Sequence, residues 1–391
     1  MGPGVGEAEI GAVERREGEL AWEWGLRLER MGDVGAATAA YAAAVDAGEE
    51  PREPRAVLRN AEQLEARGYH EGAEVLFRRA AEAGEPDVRA GAWRGIASYL
   101  IGRGEIASGL EALEAVVATG DPDEAPRALR NIGTLREDYL GEVDGARAAY
   151  EAAIAFGHPL HSQGARVNLA QLLDKQGDSA AAAVLFREVI ESGHPVECGR
   201  ARTLLAYLLQ EQGDGQQALE WFEVEMAAER DSEWGQRAAF GAGGIYLDRG
   251  DRDRAVEAFR IAERIDNPSE AAMATFFRGE VERERGNQDV ALDAYRRAAE
   301  ADGVVRCAAA KQAGTILLER NDPAAARGLL VLAAEADVGE ERARASLLLG
   351  LCERELGDLA AARVAAERAI STVGAPPDVY DTGQRFLAEL R

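Results

Sequence analysis

The sequence predicts an all-α protein, a superhelical α-solenoid of about ten helix–turn–helix repeats followed by a C-terminal capping helix. Three observations support this prediction. A turn residue returns about every 36 positions, small residues lie at fixed distances on either side of it, and a bulky residue follows nine positions later. A chain of 391 residues, 47% of them hydrophobic, is long for one compact globule, and a stack of repeats accommodates that length.

The turn residue is glycine in every unit except the ninth, where asparagine replaces it. Successive turns are 36, 36, 37, 36, 36, 37, 36, 35 and 36 residues apart. Chance does not produce a period this regular, so the chain consists of copies of one unit. The turn residues are Gly32, Gly68, Gly104, Gly141, Gly177, Gly213, Gly250, Gly286, Asn321 and Gly357.

Small and bulky residues alternate around each turn in a fixed order. A small residue lies five positions after the turn and another lies seven before it, although in the fourth unit Gly133 takes the second role with a shift of one residue. Small residues let two antiparallel helices approach closely, and a bulky side chain fills the space beside them. The bulky residues are Tyr41, Phe77, Leu113, Tyr150, Phe186, Phe222, Phe259, Tyr295 and Leu330.

Glycine and proline mark the junction between successive units. Glycine at this junction is placed to end one helix, and proline two residues later is placed to begin the next. The motifs are Gly84-Glu-Pro86, Gly120-Asp-Pro122, Gly157-His-Pro159 and Gly193-His-Pro195, with Pro51 and Pro268 in the same position. Each unit is therefore predicted to be two helices joined by a turn, with no strand.

The two ends of the chain depart from the repeat. Residues 1–12 are rich in glycine and glutamate without helical periodicity, which predicts a mobile N-terminal arm. Residues 13–373 are predicted to form one continuous solenoid. Residues 374–391 begin with a proline pair and continue as an amphipathic stretch, which predicts a helix that caps the last repeat.

Composition limits the classes of partner and compartment. A net charge of −25 and a pI near 4.7 disfavour nucleic acid and anionic membranes, because both carry phosphate groups that the protein would repel. The sequence shows no signal peptide and no apolar run of the roughly 18 residues that span a bilayer. Cys198, Cys307 and Cys352 are widely spaced, which fits reduced thiols. We therefore expect a cytoplasmic protein.

The unit resembles the tetratricopeptide repeat family. The residues that carry the resemblance are Gly243, Tyr246, Gly250-Asp251, Ala255, Phe259 and Ala262, and in the next unit Gly279, Gly286, Ala291, Tyr295 and Ala298. The unit is about two residues longer than the usual 34 of that family, and its Gly-x-Pro junction is similar to the related Sel1-like repeats. The resemblance implies a non-enzymatic scaffold or adaptor that binds a protein or peptide segment in a concave groove lined by the first helices.

The candidate binding surface is an arginine stripe, formed by Arg55, Arg127, Arg200, Arg237 and Arg344. The resemblance places this early first-helix position on the concave wall, and arginine occupies it in five of ten repeats, against roughly one expected from composition. A basic groove would select acidic segments or a C-terminal carboxylate. The alternative is that the arginines pair with glutamates on neighbouring helices. Further candidates beside the stripe are Arg59, Arg94, Arg130, Asn131 and Asn168.

Phe276 and Phe277 lie on a predicted first helix of the eighth unit. One of the two rings is a candidate apolar anchor for the partner in the groove.

One set of cysteine and histidine residues could act as zinc ligands. His158-x-x-His161 and His194-x-x-x-Cys198 occupy equivalent loops of adjacent repeats. Other repeats place Glu or Asp in the same loop, so the simpler interpretation is a turn residue. We predict no metal.

No catalytic motif is recognisable in the sequence. Gly241-Ala-Gly243-Gly244 is similar to part of a nucleotide-binding loop, but no strand precedes it, and helix packing already accounts for Gly243. We therefore predict no enzyme activity and no cofactor.

Two other functions remain open at this stage. One is a regulatory module that senses a peptide or small ligand and acts through a partner chain, since solenoids flex readily. The other is RNA recognition by a helical repeat of similar length, which the negative charge disfavours. The sequence does not determine the oligomeric state.

Overall fold

A computed structural model of the chain describes residues 20–31, 33–47 and 54–390. Within these ranges the backbone forms twenty-one α-helices and no strand, which confirms the predicted all-α repeat fold. The predicted N-terminal arm, the first turn residue Gly32 and the junction residue Pro51 lie outside the described residues. None of the described helices is both long enough and apolar enough to cross a membrane.

The chain divides into two compact units, residues 1–197 and residues 198–391. In each hairpin an odd-numbered first helix pairs with the even-numbered second helix that follows it. The helices of the first unit are α1 (Ala21–Arg30), α2 (Val34–Asp46), α3 (Pro54–Ala66), α4 (His70–Ala83), α5 (Pro86–Gly102), α6 (Ile106–Ala118), α7 (Glu124–Leu135), α8 (Val143–Ala155), α9 (His161–Lys175) and α10 (Ser179–Glu191).

The second unit contains five hairpins and a final single helix. Its helices are α11 (Glu197–Glu211, whose first residue closes the first unit), α12 (Gly215–Ala228), α13 (Glu233–Asp248), α14 (Arg252–Ala262), α15 (Pro268–Glu284), α16 (Gln288–Glu300), α17 (Arg306–Glu319), α18 (Pro323–Ala333), α19 (Gly339–Glu355), α20 (Leu359–Ser371) and α21 (Pro377–Glu389).

The repeated turn is a left-handed residue followed by a helix cap. The described turn glycines have φ between +66° and +85°. Among the described residues other than glycine, Asn321 alone has positive φ, at +60°, and asparagine tolerates this conformation better than most residues. The aspartate that follows the turn caps the second helix, as when Asp251 accepts the amide of Arg254 at 3.2 Å. Backbone geometry therefore explains the Gly-Asp pattern.

In several repeats the bulky residue packs against a glycine of a first helix. Phe259 and Tyr295 are at most 1% exposed. A Cβ atom on Gly243 would lie 2.8 Å from the ring of Phe259, and one on Gly279 would lie 2.8 Å from the ring of Tyr295. A side chain at either glycine would overlap the ring, so the close approach of the two helices depends on glycine.

Helix α13 is held between two such rings. Gly241 faces the ring of Phe222 on α12, and Gly243 faces the ring of Phe259 on α14. Residues two positions apart point about 200° apart around a helix, so the two glycines serve opposite sides of α13. Helix packing therefore accounts for both of these glycines in the motif that resembles a nucleotide-binding loop.

The one-residue shift of the fourth repeat is accommodated by a π-helical turn. This turn spans Arg136–Leu140 at the end of α7 and closes at Gly141 with φ +66°. A π-turn holds one more residue than an α-turn, so it absorbs the extra residue. The hydroxyl of Tyr150 donates to Glu137 at 3.0 Å, and Lys175 donates to the same carboxylate at 2.7 Å. These bonds fix the turn in place.

The last helix, α21, covers apolar residues of the preceding hairpin. Phe386 packs with Ala362 and Ala366, and Val379 packs with Ala343 and Ala369. The predicted domain boundaries at residues 13, 373 and 374 remain predictions.

Candidate functional site

Several arginines of the stripe bind carboxylates that belong to the next first helix. Arg55 on α3 contacts Glu85 at 3.1 Å and Asp87 at 2.7 Å, both at the start of α5. Arg344 on α19 contacts Asp378 on α21 at 3.0 Å. This is the pairing between neighbouring helices that the sequence left open as the alternative. An acidic partner would compete with these carboxylates.

The same pairing recurs at other first helices. Arg237 on α13 binds Glu270 on α15 at 2.9 Å, and Lys311 on α17 binds Glu341 on α19. The acidic residue follows the basic one by 33 residues in the first case and by 30 in the second. These pairs could therefore be recognised in the sequence by a basic residue on one first helix and an acidic residue 30–33 positions later on the next. The exposed pairs of Arg55 contribute about 0–1 kcal/mol each to stability.

Three of the predicted site residues meet in one pocket of the first unit, between α5 and α7. This arginine pocket has a volume of about 390 Å³, and Arg94, Arg127 and Asn131 line it. Its apolar lining consists of Ala97, Ile101, Leu113, Val116 and Ala128, with Ser98, Gly102 and Glu124 completing the wall. The arrangement places two guanidinium groups and one amide around an apolar depression.

The two guanidinium groups of the arginine pocket share one carboxylate. Arg94 Nε lies 3.2 Å from Glu124, and its Nη2 lies 3.1 Å from Glu62. Arg127 Nη1 lies 3.9 Å from Glu124, at the outer limit of an ion pair, and its side chain is 45% exposed. Because a guanidinium group has five N–H donors, Arg127 retains donors for an incoming carboxylate.

Charges near the arginine pocket affect His161 at the start of α9. Burial lowers the pKa of His161 to about 4, and the neighbouring His158, Arg130 and Arg127 lower it further, whereas Asp123 opposes them. The two imidazole rings are stacked with centroids 4.6 Å apart. Burial is the main cause of the lowered pKa, and the contributions of Arg130 and Arg127 add a locally positive potential in a protein of net negative charge.

We expect the imidazole of His161 to titrate near pH 4 in the native protein. An unfolded histidine titrates near 6.5, so its preference for the neutral form stabilises the fold fully above pH 6.5, and this contribution is lost as the pH falls towards 4. Proton NMR of the four histidines measures the midpoint, with His161→Gln to assign the signal. The double variant Arg127→Gln/Arg130→Gln should raise the midpoint; an unchanged midpoint would contradict the positive potential.

The remaining predicted residues lie outside the arginine pocket. Arg59 is exposed on α3, and Arg130 on α7 lies against Gly164 of α9. Asn168 donates to Thr134 at 3.4 Å. Arg200, in the second unit, lies over the ring of Trp234 at 5.9 Å. The structure thus places the candidate residues at several separate locations.

A second pocket, which the sequence analysis missed, lies between α13 and α15 in the second unit. This apolar pocket has a volume of about 250 Å³ and is lined by Tyr207, Arg237, Phe240, Ile265, Glu270 and Met273. A sequence signal for it exists. Phe240 and Phe276 both lie ten residues before a turn glycine, in the seventh and eighth repeats. An aromatic residue at equivalent positions of adjacent first helices marks a continuous aromatic surface.

The predicted anchors Phe276 and Phe277 extend this aromatic surface along α15. Phe277 packs between Phe240 and Phe259, with both ring-centroid distances 5.9 Å. Phe276 contacts Phe277 at 5.5 Å and Tyr295 at 5.7 Å. Both rings are half-buried. A role as anchor for a partner stays a prediction.

The histidines of the Gly-His-Pro junctions act as helix caps. His158 Nδ1 accepts the amides two and three residues further on, both at 3.1 Å, and His194 Nδ1 accepts the equivalent amides at 3.2 and 3.0 Å. His158 Nε2 lies 3.1 Å from Asp123. In the part of the chain that the structure describes, no group of three His, Cys, Asp or Glu residues is arranged to hold a metal ion. Capping therefore explains the two histidines that suggested zinc.

Stacked helical hairpins with pockets between successive first helices define an α-helical repeat protein. A family model described as tetratricopeptide repeat matches residues 94–163, 167–232, 240–304 and 311–378, which is more than half of the chain. The chain therefore belongs to the tetratricopeptide repeat family, and the resemblance seen in the sequence is confirmed. Repeats of this family form scaffolds for protein–protein interaction.

Several solved structures are similar to this chain at low sequence identity. A tetratricopeptide repeat protein from Parabacteroides merdae is 16% identical and covers 67% of this chain and 98% of its own, with a TM-score of 0.40. PilF from Pseudomonas aeruginosa is 18% identical, covering 58% and 97%, with a TM-score of 0.45. YrrB, a TPR protein with an unusual peptide-binding site, is 20% identical, covering 51% and 97%, with a TM-score of 0.41. No curated protein matches the sequence significantly.

Proposed function

We propose that the chain is a scaffold that captures an acidic protein segment in the arginine pocket of its first unit. The observation that supports this function is the convergence of Arg94, Arg127 and Asn131 on one pocket, with a single carboxylate, Glu124, shared between the two arginines. The proposal assigns no catalytic step and no cofactor to the chain.

The chemistry of the pocket suits a carboxylate on a short apolar stem. The partner's carboxylate would accept hydrogen bonds from the Arg127 guanidinium group and the Asn131 amide. Its methylene groups, or an adjacent small apolar residue, would contact Leu113 and Val116. Charge-assisted hydrogen bonds of this kind contribute about 1.5–3 kcal/mol each. Two of them suffice to make the pocket the main determinant of affinity.

The double variant Arg94→Gln/Arg127→Gln tests the function. We expect it to lower the capture of bound protein from a native lysate by tenfold or more, since each tenfold change corresponds to about 1.4 kcal/mol. The measurement is quantitative mass spectrometry of proteins retained by the immobilised full chain and by its variant. Captured segments should be enriched in Asp and Glu.

The matched control is Arg78→Gln/Arg79→Gln, which removes the same charge from α4, a second helix. Arg78 and Arg79 are 57% and 51% exposed and bind carboxylates on their own helix. This control should retain the captured proteins. Equal capture by the wild type and the arginine-pocket variant would refute the proposed function, provided that circular dichroism shows the fold to be intact.

A further inference from the structure

We propose that the apolar pocket of the second unit receives one large apolar side chain from a partner segment whose flanking residues are basic. The inference rests on the chain being a protein-interaction scaffold, and it does not depend on the acidic occupant of the arginine pocket. It assigns the second unit a charge preference opposite to that of the first.

The size and lining of the apolar pocket fit one side chain. Its volume of about 250 Å³ is below the roughly 300–1,000 Å³ of sites for drug-sized molecules. Tyr207, Phe240, Ile265 and Met273 supply its apolar surface. Aromatic residues and methionine are enriched at protein-interaction surfaces, where they bury large areas and adapt to the partner. A Phe, Leu or Met side chain is the occupant that this lining favours.

The arginine at the edge of the apolar pocket is already satisfied. Arg237 donates to both oxygens of Glu270 at 2.9 Å and contacts Glu233 at 3.0 Å. Its guanidinium group lies 4.9 Å from the ring centroid of Trp234. The Tyr207 hydroxyl donates to the Arg237 carbonyl oxygen at 2.8 Å. With these bonds in place, Arg237 closes one wall of the pocket and does not recruit a carboxylate from a partner.

A second cavity beside the apolar pocket is acidic. It has a volume of about 320 Å³, and Asp231, Glu233 and Asp266 line it together with Arg237 and Ile265, which it shares with the apolar pocket. Asp231 is 80% exposed and Glu233 is 60% exposed. Lysine and arginine are the side chains that such a cavity attracts.

The charges of the two cavities do not balance. Their linings hold four carboxylates, with Glu270 the fourth, against one guanidinium group. Arg264 binds Asp231 at 2.9 Å, which leaves an excess of two negative charges. The net charge of −25 adds a long-range attraction for cations. Because an extended chain advances about 3.3–3.6 Å per residue, a basic residue next to the apolar anchor reaches the acidic cavity.

Methyl NMR on methionine tests the pocket directly. The chain has four methionines, of which Met273 lines the apolar pocket and Met31 lies in the first unit, 60% exposed. The probe is a capped Gly-Lys-Phe-Lys-Gly peptide added to the full chain labelled with ¹³C at the methionine methyl groups. We expect a saturable shift of the Met273 signal and none of the Met31 signal. An unmoved Met273 signal at millimolar peptide would overturn the proposal.

Two altered peptides separate the apolar and the charged contributions. Replacing the phenylalanine of the probe with alanine should weaken binding about ten- to hundredfold, because the ring is the group that leaves water. Replacing both lysines with glutamate should weaken it further at low salt, where the acidic cavity is least screened. Equal affinity for the parent and either altered peptide would contradict the assigned occupant.

Charge reversal in the protein provides the matched pair of variants. Asp266→Lys, just before α15, should weaken binding of the parent peptide roughly three- to tenfold at 50 mM salt. Asp248→Lys, at the C-terminal end of α13 and outside the lining of both cavities, should leave it unchanged. Arg94→Gln/Arg127→Gln should not affect this peptide. If lysate capture responds to the arginine variants while the peptide leaves Met273 unmoved, the inference fails and the proposed function stands.

Discussion

Replacing Phe259 with alanine is expected to lower the free energy of unfolding by about 3–5 kcal/mol, the range for a buried phenylalanine. The ring is 1% exposed and lies between Gly243 on α13 and the rings of Phe240 and Phe277, at 5.8 and 5.9 Å. Glycine has no side chain with which to fill the vacated space. The cavity therefore stays empty, and the substitution incurs both the lost burial and the cavity term.

The measurement is guanidinium chloride unfolding followed by circular dichroism. Val290→Ala on α16 is the control, because Val290 is 41% exposed and surface substitutions usually change stability by at most about 0.5 kcal/mol. Repeats contact only their neighbours, so amide exchange should accelerate most in α13 and α14. If Phe259→Ala lowers the free energy of unfolding by less than about 1 kcal/mol, the packing of this ring is not a main source of the hairpin's stability.

Substituting Gly241, Gly243 and Gly244, three of the four glycines of α13, one at a time is expected to give effects of opposite sign. A Cβ on Gly241 or Gly243 would overlap the ring of Phe222 or Phe259, so alanine at either position should destabilise the fold by about 1–3 kcal/mol. Nothing lies within 4 Å of a Cβ on Gly244. Alanine there should stabilise the helix by up to about 1 kcal/mol, because glycine is the weaker helix former.

The same unfolding measurement ranks the three variants. Their sequence change is identical and all three positions lie within one helix, so helix propensity alone predicts equal stabilisation. The expected order therefore isolates the contact with the aromatic rings. If Gly244→Ala destabilised the fold as much as Gly241→Ala, contact with the aromatic rings would not explain the glycines of the Gly241-Ala-Gly243-Gly244 motif.

The hairpins of this fold could be predicted because each repeat must form the same left-handed turn and the same close contact between its two helices. A left-handed turn needs glycine, or asparagine as at Asn321, whatever the neighbouring repeats contain. The contact between Gly279 and Tyr295 is likewise internal to one hairpin. Local requirements repeat at a fixed interval, and periodicity in the sequence reveals them.

The candidate sites could be predicted only in part, because pockets depend on residues of different repeats. One first-helix position, ten residues before the turn, holds Arg94, Asn131, Phe240 and Phe276 in different repeats. The residue type is readable from the sequence. Whether the side chain is available to bind a partner protein depends on a residue almost one repeat away that pairs with it. Glu124 is that residue for Arg94. The apolar pocket also needs Ile265, at the end of a hairpin, and no periodic signal points to that residue.

The π-helical turn after α7 is one place where this protein accommodates a change in repeat length. An added residue inside a helix rotates every later side chain by about 100°, which would move the ring of Tyr150 away from Gly133. At residues 136–140 the wider turn takes up the addition before the next helix starts. A single-residue insertion is therefore tolerated within this π-helical turn and damaging one helical turn earlier, so repeats of unequal length can evolve within one array.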